Sequence, residues 1–275
     1  MLIVVLWIVA ALCVLALTLG HGAGLELKLG RGFADRIKAY GNARSGIAAA
    51  IREIQGSRKE ADHRYAYTIL RDEESRININ RASRQLLAEV LKESGCENPA
   101  DTAAAVMAWR GDTDMKELIL ADRTRLTCKG SPICSIEELQ LIPGIASGCL
   151  KKMSGMVTVY GDGNINVNTV PAPVLRTVCR SIAAGMAVNP EFGGSLAEKI
   201  TAFVHNNGPV KSTGDLAIGV TGSEENTIYP VLVKQLTGVS RHFLIESTGY
   251  SGKMKRTIQA VYDREKKGIA AWHEN

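Results

Sequence analysis

The sequence predicts an α+β fold in which a long N-terminal helix packs on a small antiparallel sheet, with a large helical domain of two similar halves inserted into it. Three observations carry this expectation. Apolar residues recur at helical spacing from Phe33 to Ile54 behind an uncharged opening stretch; residues of strand-like period two occur at three places; and between those places two sets of helical segments echo each other.

Met1 to Leu19, MLIVVLWIVAALCVLALTL, contains no charged residue. At about 1.5 Å of rise per residue, a helix of this length reaches roughly the thickness of a bilayer's hydrocarbon core. Residues 1–19 are therefore expected to be the transmembrane part of the first helix. A cleavable secretory signal would open with lysine or arginine and end at a small-residue cut site, and no basic residue opens this chain. Beyond it, Phe33, Ile37, Tyr40, Ile47, Ile51 and Ile54 recur at spacings of three, four and seven, one stripe of an amphipathic helix. The stripe can face the protein's own sheet or its partners, and the sequence leaves that division open. Gly30, Gly32, Gly41 and Gly46 each weaken the helix by about 1 kcal/mol relative to alanine, so packing must hold it.

From Tyr65 the period changes. YAYTILRDEESRININ alternates apolar and polar residues around a turn at Asp72 to Ser75; MVTVY and NINVN flank Gly161-Asp162-Gly163; HFLIEST and MKRTIQAVYD flank Gly249-Tyr250-Ser251-Gly252. These three ribbons are expected to share one antiparallel sheet covered by the helix stripe. Between them, ININRASRQLLAEV (77–90) is echoed by INVNTVPAPVLRTV (165–178), ADTAAAVMAWRGD by SLAEKITAFVHNNG, and SIEELQLIPGI by STGDLAIGV, which indicates an internal duplication. Asn80 or Ser83, and Thr169 in the second copy, suit helix N-caps, and Pro171 suits a first helical turn. Asn78, Asn80, Asn166 and Asn168 then read as turn and cap residues rather than a catalytic set. The plan is a span at 1–19, a stalk with the first strands at 20–80, a first helical half at 81–155, a hairpin at 156–168, a second helical half at 169–238, and closing strands at 239–275.

A net charge of +5 is spread along the chain without lysine or arginine blocks, weak grounds for a nucleic-acid partner. Of six cysteines, Cys128 and Cys134 lie close together in TCKGSPIC, where Gly130 and Pro132 let the loop close, so they are the expected disulfide; Cys96, Cys149 and Cys179 are left unassigned. No second pair has zinc-finger spacing. Asp112 and Asp114, with Glu117 and Asp122 nearby, offer the hard oxygens that calcium prefers, against a solvated acidic turn as the alternative. No GxSxG, HExxH or P-loop appears, and His205 and His242 stand without a nucleophile, so an enzyme is not expected and no cofactor is required. IPGI at 142–145 is similar to the hairpin of helix-hairpin-helix modules, which hold a phosphate on backbone N–H groups, so a membrane-anchored DNA-binding protein of the competence type is the rival reading. It lacks the second glycine of the usual hairpin, and Lys151 and Lys152 are the only basic pair beside it.

Taken in order, the uncharged span, ARSGIAAAI, ESRININRAS, AWRGDTD, SIEELQLIPGI, INVNTVPAPVL and the terminal strand pair resemble protein K of the type II secretion system, the largest minor pseudopilin. The resemblance covers nearly the whole chain. It implies a pilin-like helix on a small sheet with an inserted helical domain, at the tip of the periplasmic pseudopilus with minor pseudopilins I and J, in an assembly that moves folded proteins across the outer membrane. It implies a single-pass inner-membrane protein with a periplasmic head and, in some members, calcium in the helical domain. It also fits the lack of any acid before Glu26, since these proteins lack the glutamate that major pilins bury near the start of the mature helix. The residues after the span, His21, Lys28, Arg31 and Arg36, point the head to the cytoplasm under the positive-inside rule, whereas the resemblance implies the opposite side.

Overall fold

A computed structural model describes residues 1–56, 66–119, 125–216 and 225–274. Its helices are α1 (Leu2–Ile54), α2 (Arg84–Glu93), α3 (Pro99–Trp109), α4 (Ser147–Met153), α5 (Ala172–Gly185), α6 (Pro190–Asn207) and α7 (Glu225–Leu232). Its strands are β1 (Ala66–Asp72), β2 (Ile77–Asn78), β3 (Glu117–Ile119), β4 (Arg125–Thr127), β5 (Val157–Thr158), β6 (Ile165–Asn166), β7 (Leu236–Thr237), β8 (His242–Ser251), β9 (Met254–Asp263) and β10 (Gly268–Glu274). The chain divides into two compact units, Met1–Arg71 with Leu244–Asn275, and Asp72–Phe243.

In the first unit, α1 packs on a four-stranded sheet of order β1-β8-β9-β10. The period of two in MKRTIQAVYD places Ile258, Ala260 and Tyr262 on one face, where they join Ile245 against Ala43, Ile47 and Ala50 of α1. Fully burying side chains the size of Ile47 or Ile258 contributes about 1.5–3 kcal/mol each. β8 and β9 form the expected closing ribbon, with cross-strand bonds between the Thr248 and Thr257 hydroxyls at 3.0 Å and from Gln259 to Glu246 at 3.1 Å. β10 adds a further antiparallel strand, with a register shift between Ile269 and Ala271. The helix can approach because the contact is lined by small residues: a Cβ on Gly249 would press on the backbone of Ala39, Asn42 and Ala43, and one on Gly46 on the hydroxyls of Ser247 and Thr68. A side chain at 46 would therefore displace two hydroxyls that hydrogen-bond each other at 3.2 Å. Among the described residues no helix is long and apolar enough to cross a membrane. The expected span is exposed along α1 as far as Leu17, and the side chains of residues 18–25 lie outside the description.

The second unit corrects the expected sheet. The segment 156–168 is not a hairpin: β5 pairs in parallel with β2, Ile77 opposite Val157, and β6 in parallel with β7, Ile165 opposite Leu236. The first ribbon is likewise divided, since β1 belongs to the four-stranded sheet and β2 to this separate pair. Two side chains explain the change. Asn78 donates both amide hydrogens to the carbonyls of Tyr160 (2.9 Å) and Gly161 (2.8 Å), drawing that loop to β2, and Asp72 caps a short 3-10 turn by accepting from the Glu74 N–H at 2.9 Å.

The duplication is visible in matched hydrogen bonds. The Asn78 carboxamide oxygen accepts from Asn80 N–H at 2.8 Å, and that of Asn166 from Asn168 N–H at 3.0 Å. Asn80 then exchanges two bonds with the backbone of Ile133, and Asn168 two with Val210. Ser83 caps α2 by accepting from Leu86 N–H at 3.2 Å, whereas α5 starts from Pro171 with no side-chain cap, so Thr169 is not the expected cap. One apolar core runs through both halves, with α2 packed on α3 and on α5, and α5 on α6.

The disulfide also differs from expectation. Cys96 is bonded to Cys149, with Cα atoms 5.2 Å apart, while Cys128 and Cys134 are free thiols. The loop that was expected to close on itself wraps the Glu138 carboxylate instead, which accepts from Cys134 N–H at 3.0 Å and Lys129 Nζ at 3.0 Å; Lys129 also reaches the exposed Cys134 Sγ at 3.4 Å. Cys128 is half-buried against the core with its N–H on the Lys116 carbonyl at 2.8 Å.

Candidate assembly surface

The helix stripe read from the sequence divides in two. Ile47 is 2% exposed and, with Tyr40, Ile51 and Ile54 packed around it, belongs to the core between α1 and its own sheet. Tyr40 is fixed further by its hydroxyl, which donates to Glu274 Oε1 at 2.9 Å; this bond holds the phenol pKa above its ordinary value. Phe33 and Ile37, by contrast, are 65% and 56% exposed. Leu29 stands one turn before Phe33 and is equally uncovered at 65%, so Leu29, Phe33 and Ile37 form an apolar row at steps of four residues. Leu29 was not part of the stripe read from the sequence, because its neighbours Lys28 and Arg31 obscure the period there. A row of this kind, uncovered by its own fold, is suited to burial against another helix.

The expected calcium ligands are not gathered by the described residues. Asp112 accepts from Arg110 Nε at 2.7 Å and pairs with its Nη2, while the buried guanidinium also donates to the carbonyls of Ile79 and Ala82. Asp112 thereby balances the charge of a side chain that ties the end of α3 to the loop between β2 and α2. Asp114 is exposed, Glu117 faces Arg125 at 3.4 Å across the β3–β4 pair, and Asp122 lies outside the described residues. Among the described residues no three His, Cys, Asp or Glu side chains are placed to hold a metal ion. In IPGI, Gly144 (φ +90°) turns the chain so closely on α3 that a Cβ would strike the Thr102 hydroxyl, and Ile142 and Ile145 are buried.

A buried carboxylate cluster was not legible in the sequence, where Asp72 to Ser75 reads as a simple turn. Glu74 accepts from the backbone N–H of Arg241 (3.2 Å) and His242 (3.0 Å) and meets His242 Nδ1 at 2.8 Å. Asp72 accepts from the Ser240 and Thr169 hydroxyls and from Asn166 Nδ2 at 3.1 Å. Glu73 pairs with Arg76 and accepts from Thr158. Burial pushes the carboxyls of Asp72 and Glu73 above their usual range, with the Ser240 and Thr169 hydroxyls opposing it for Asp72, and Arg76 and Thr158 for Glu73. The cluster joins residues far apart in sequence within the second unit. Its chemistry is structural: it satisfies the polar groups of the returning chain.

The fold and the uncovered helix row can be set beside known proteins. No family model matches the sequence, and no curated protein matches it. Among solved structures, a chain of the GspK-GspI-GspJ complex from the enterotoxigenic Escherichia coli type 2 secretion system is similar over 92% of this chain and 99% of that one, with a TM-score of 0.62 and 11% sequence identity. This chain has the GspK fold. The similarity runs along nearly the full length of both chains, so the α+β architecture expected from the sequence holds even though two of its ribbons are paired differently.

Proposed function

We propose that this chain is a minor pseudopilin of the type II secretion system, seated with minor pseudopilins I and J at the tip of the periplasmic pseudopilus, where it supports export of folded proteins across the outer membrane. The observation that carries the reading is the end-to-end match to the fold of one chain from a GspK-GspI-GspJ complex, which leaves almost none of that chain unmatched. Identical subunits packed head to tail give an open filament, and a subunit that offers no surface to the next ends it. An inserted unit as large as Asp72–Phe243 is suited to that terminal place. The work is surface complementarity, with no bond made or broken, and the row Leu29, Phe33 and Ile37 is the surface for the neighbouring helices.

The same reading places Met1–Leu19 in the inner membrane and both folded units in the periplasm. Support comes from the exposed apolar side chains up to Leu17 and from the Cys96–Cys149 bond, since disulfides persist in oxidising compartments. Coexpression of the full chain with pseudopilins I and J is expected to yield a stable three-protein complex on copurification. Recovery of this chain alone under native conditions would overturn the tip assignment, and reporter fusions active only in the cytoplasm would overturn the orientation.

A further inference from the structure

The second unit holds a groove of about 630 Å³ where its two halves meet. Ile77 and Leu86 from the first half and Ile165 and Ile182 from the second line it, and Met186 and Val231 stand open beside them, 39% and 36% exposed. A concavity of this size between structural repeats has the dimensions of a ligand site, roughly 300–1,000 Å³. The exposed apolar atoms at Met186 and Val231 are left for something else to cover. Methionine, unbranched and polarisable, adapts to several aliphatic shapes.

The charged groups at the rim are unequal. Asp162 is answered by Arg241 at 3.7 Å. Arg81 packs its stem over Gly163, which has φ +97° and no Cβ to block it, and its guanidinium makes no ion pair among the described residues. Among the described residues the groove therefore presents a cation with no ion-pair partner next to an apolar floor, while its one acid, Asp162, is turned to Arg241; Gln85 and Gln235 add amides that both donate and accept. Among the described residues no aromatic ring lines it for stacking a base or sugar, no Cys or His lines it for a metal, and the cation Arg81 by itself is too little for a polyphosphate.

We propose that this groove binds an extended peptide segment of another protein, carrying an aliphatic side chain next to a carboxylate. The aliphatic group enters between Leu86, Ile182 and Met186, the carboxylate meets Arg81 in its planar two-pronged geometry, and the amides take the peptide backbone. The proposal concerns a face of the second unit and does not rest on the pairing with pseudopilins I and J.

The test pans displayed random heptapeptides against the immobilised full chain, then measures a synthetic copy of the enriched sequence by fluorescence anisotropy. Peptides with an aliphatic residue beside Asp or Glu are expected to be enriched. Arg81→Glu should weaken the synthetic peptide roughly fivefold and shift a repeated panning toward basic peptides. Met186→Glu should weaken it about tenfold, and Phe33→Ala, on α1, should leave it unchanged. Both groove residues are exposed, and an unaltered Tm confirms each fold; if Met186→Glu lowers it, Val231→Gln is read instead. No enrichment, or binding indifferent to both substitutions, overturns the proposal. Self-association abolished by Met186→Glu with no peptide enriched would also overturn it and assign the groove to a second copy of the chain. Loss of the I–J complex with peptide binding intact would leave the groove standing and remove only the tip assignment.

Discussion

Asn80 donates its side-chain amide to the Ile133 carbonyl at 2.9 Å and accepts the Ile133 N–H at 2.8 Å, closing a two-bond ring across 53 residues of sequence. Asn168 and Val210 repeat the ring in the second half, at 2.9 and 2.7 Å. Each asparagine fixes where its half's returning chain lies. Ile133 and Val210 are buried, so deleting the amide leaves a backbone donor and an acceptor without their partner. Asn80→Ala and Asn168→Ala are each expected to cost about 2 kcal/mol, read as a lower urea midpoint at unchanged slope. Asn80→Leu, close in volume, should be no better; a variant as stable as the parent would show that the ring contributes nothing.

At Gly249 the backbone of α1 comes close against its sheet. An added Cβ meets the backbone of Ala39 and Ala43 rather than a side chain that can turn away. Gly249→Ala is expected to destabilise the first unit by about 1–3 kcal/mol by overpacking. Gly41→Ala, on the same helix with nothing within 4 Å of the added Cβ, should stabilise it by about 1 kcal/mol through helix propensity. Thermal unfolding of the two variants checks the contrast.

What the sequence disclosed follows from how far apart the interacting residues are. The closing ribbon was legible because β8 and β9 are adjacent and long enough, at 10 residues each, to show their period. The pairings of β2 with β5 and β6 with β7 were not, because strands of two residues carry no period and their partners lie far along the chain. The duplication was legible in the matching ININ and INVN segments, but not the reason for it, the backbone rings of Asn80 and Asn168. Proximity in sequence favoured Cys128 with Cys134, while the bonded pair, Cys96 and Cys149, is brought together by α2 and α4 across 53 positions. The helix stripe was visible as a period; which of its residues stay uncovered depends on where the sheet ends, which no local pattern records.

The disulfide closes a long loop, which by the chain-entropy estimate adds about 4 kcal/mol to the second unit. Cys96→Ala with Cys149→Ala should lower its stability by an amount of that order, whereas Cys128→Ala with Cys134→Ser should change it far less. Alkylation of the native protein followed by mass analysis offers a direct check. Cys134 is exposed and should be modified; Cys179, buried and with its thiol pushed up to about 12, should react only after unfolding. Native labelling of Cys96 or Cys149 would contradict the pairing.

Acid should act on the second unit through Glu138. Burial raises its carboxyl, but Trp109 Nε1 at 2.7 Å, the Cys134 N–H and Lys129 together hold it below the usual carboxylate range. The folded state therefore favours the ionised form, and this contribution is present above the ordinary glutamate value of about 4.3 and lost as pH falls through the depressed one. Asp72 and Glu73 have the opposite sign: raised in the folded state, they favour folding below the ordinary value and lose that advantage as pH rises through the raised one. Glu138→Gln should therefore lower Tm most near neutral pH, with the gap to the parent narrowing in the acid range. A gap that widens on acidification would refute the assignment.

The last expectation separates folding from assembly on a single helix. Ile47→Ala removes a side chain that is 2% exposed in the core between α1 and β9, and should cost about 2–5 kcal/mol. Phe33→Ala with Ile37→Ala removes side chains that touch water, so Tm should move little, because surface substitutions usually stay within about 0.5 kcal/mol. If the row Leu29, Phe33 and Ile37 is buried by neighbouring helices in the assembled tip, that double variant should nevertheless lose copurification with pseudopilins I and J. Ile47→Ala should retain it at temperatures where the variant remains folded. The reverse pattern, with the surface variant still assembling and no change in the amount of complex recovered, would move the contact away from this face of α1.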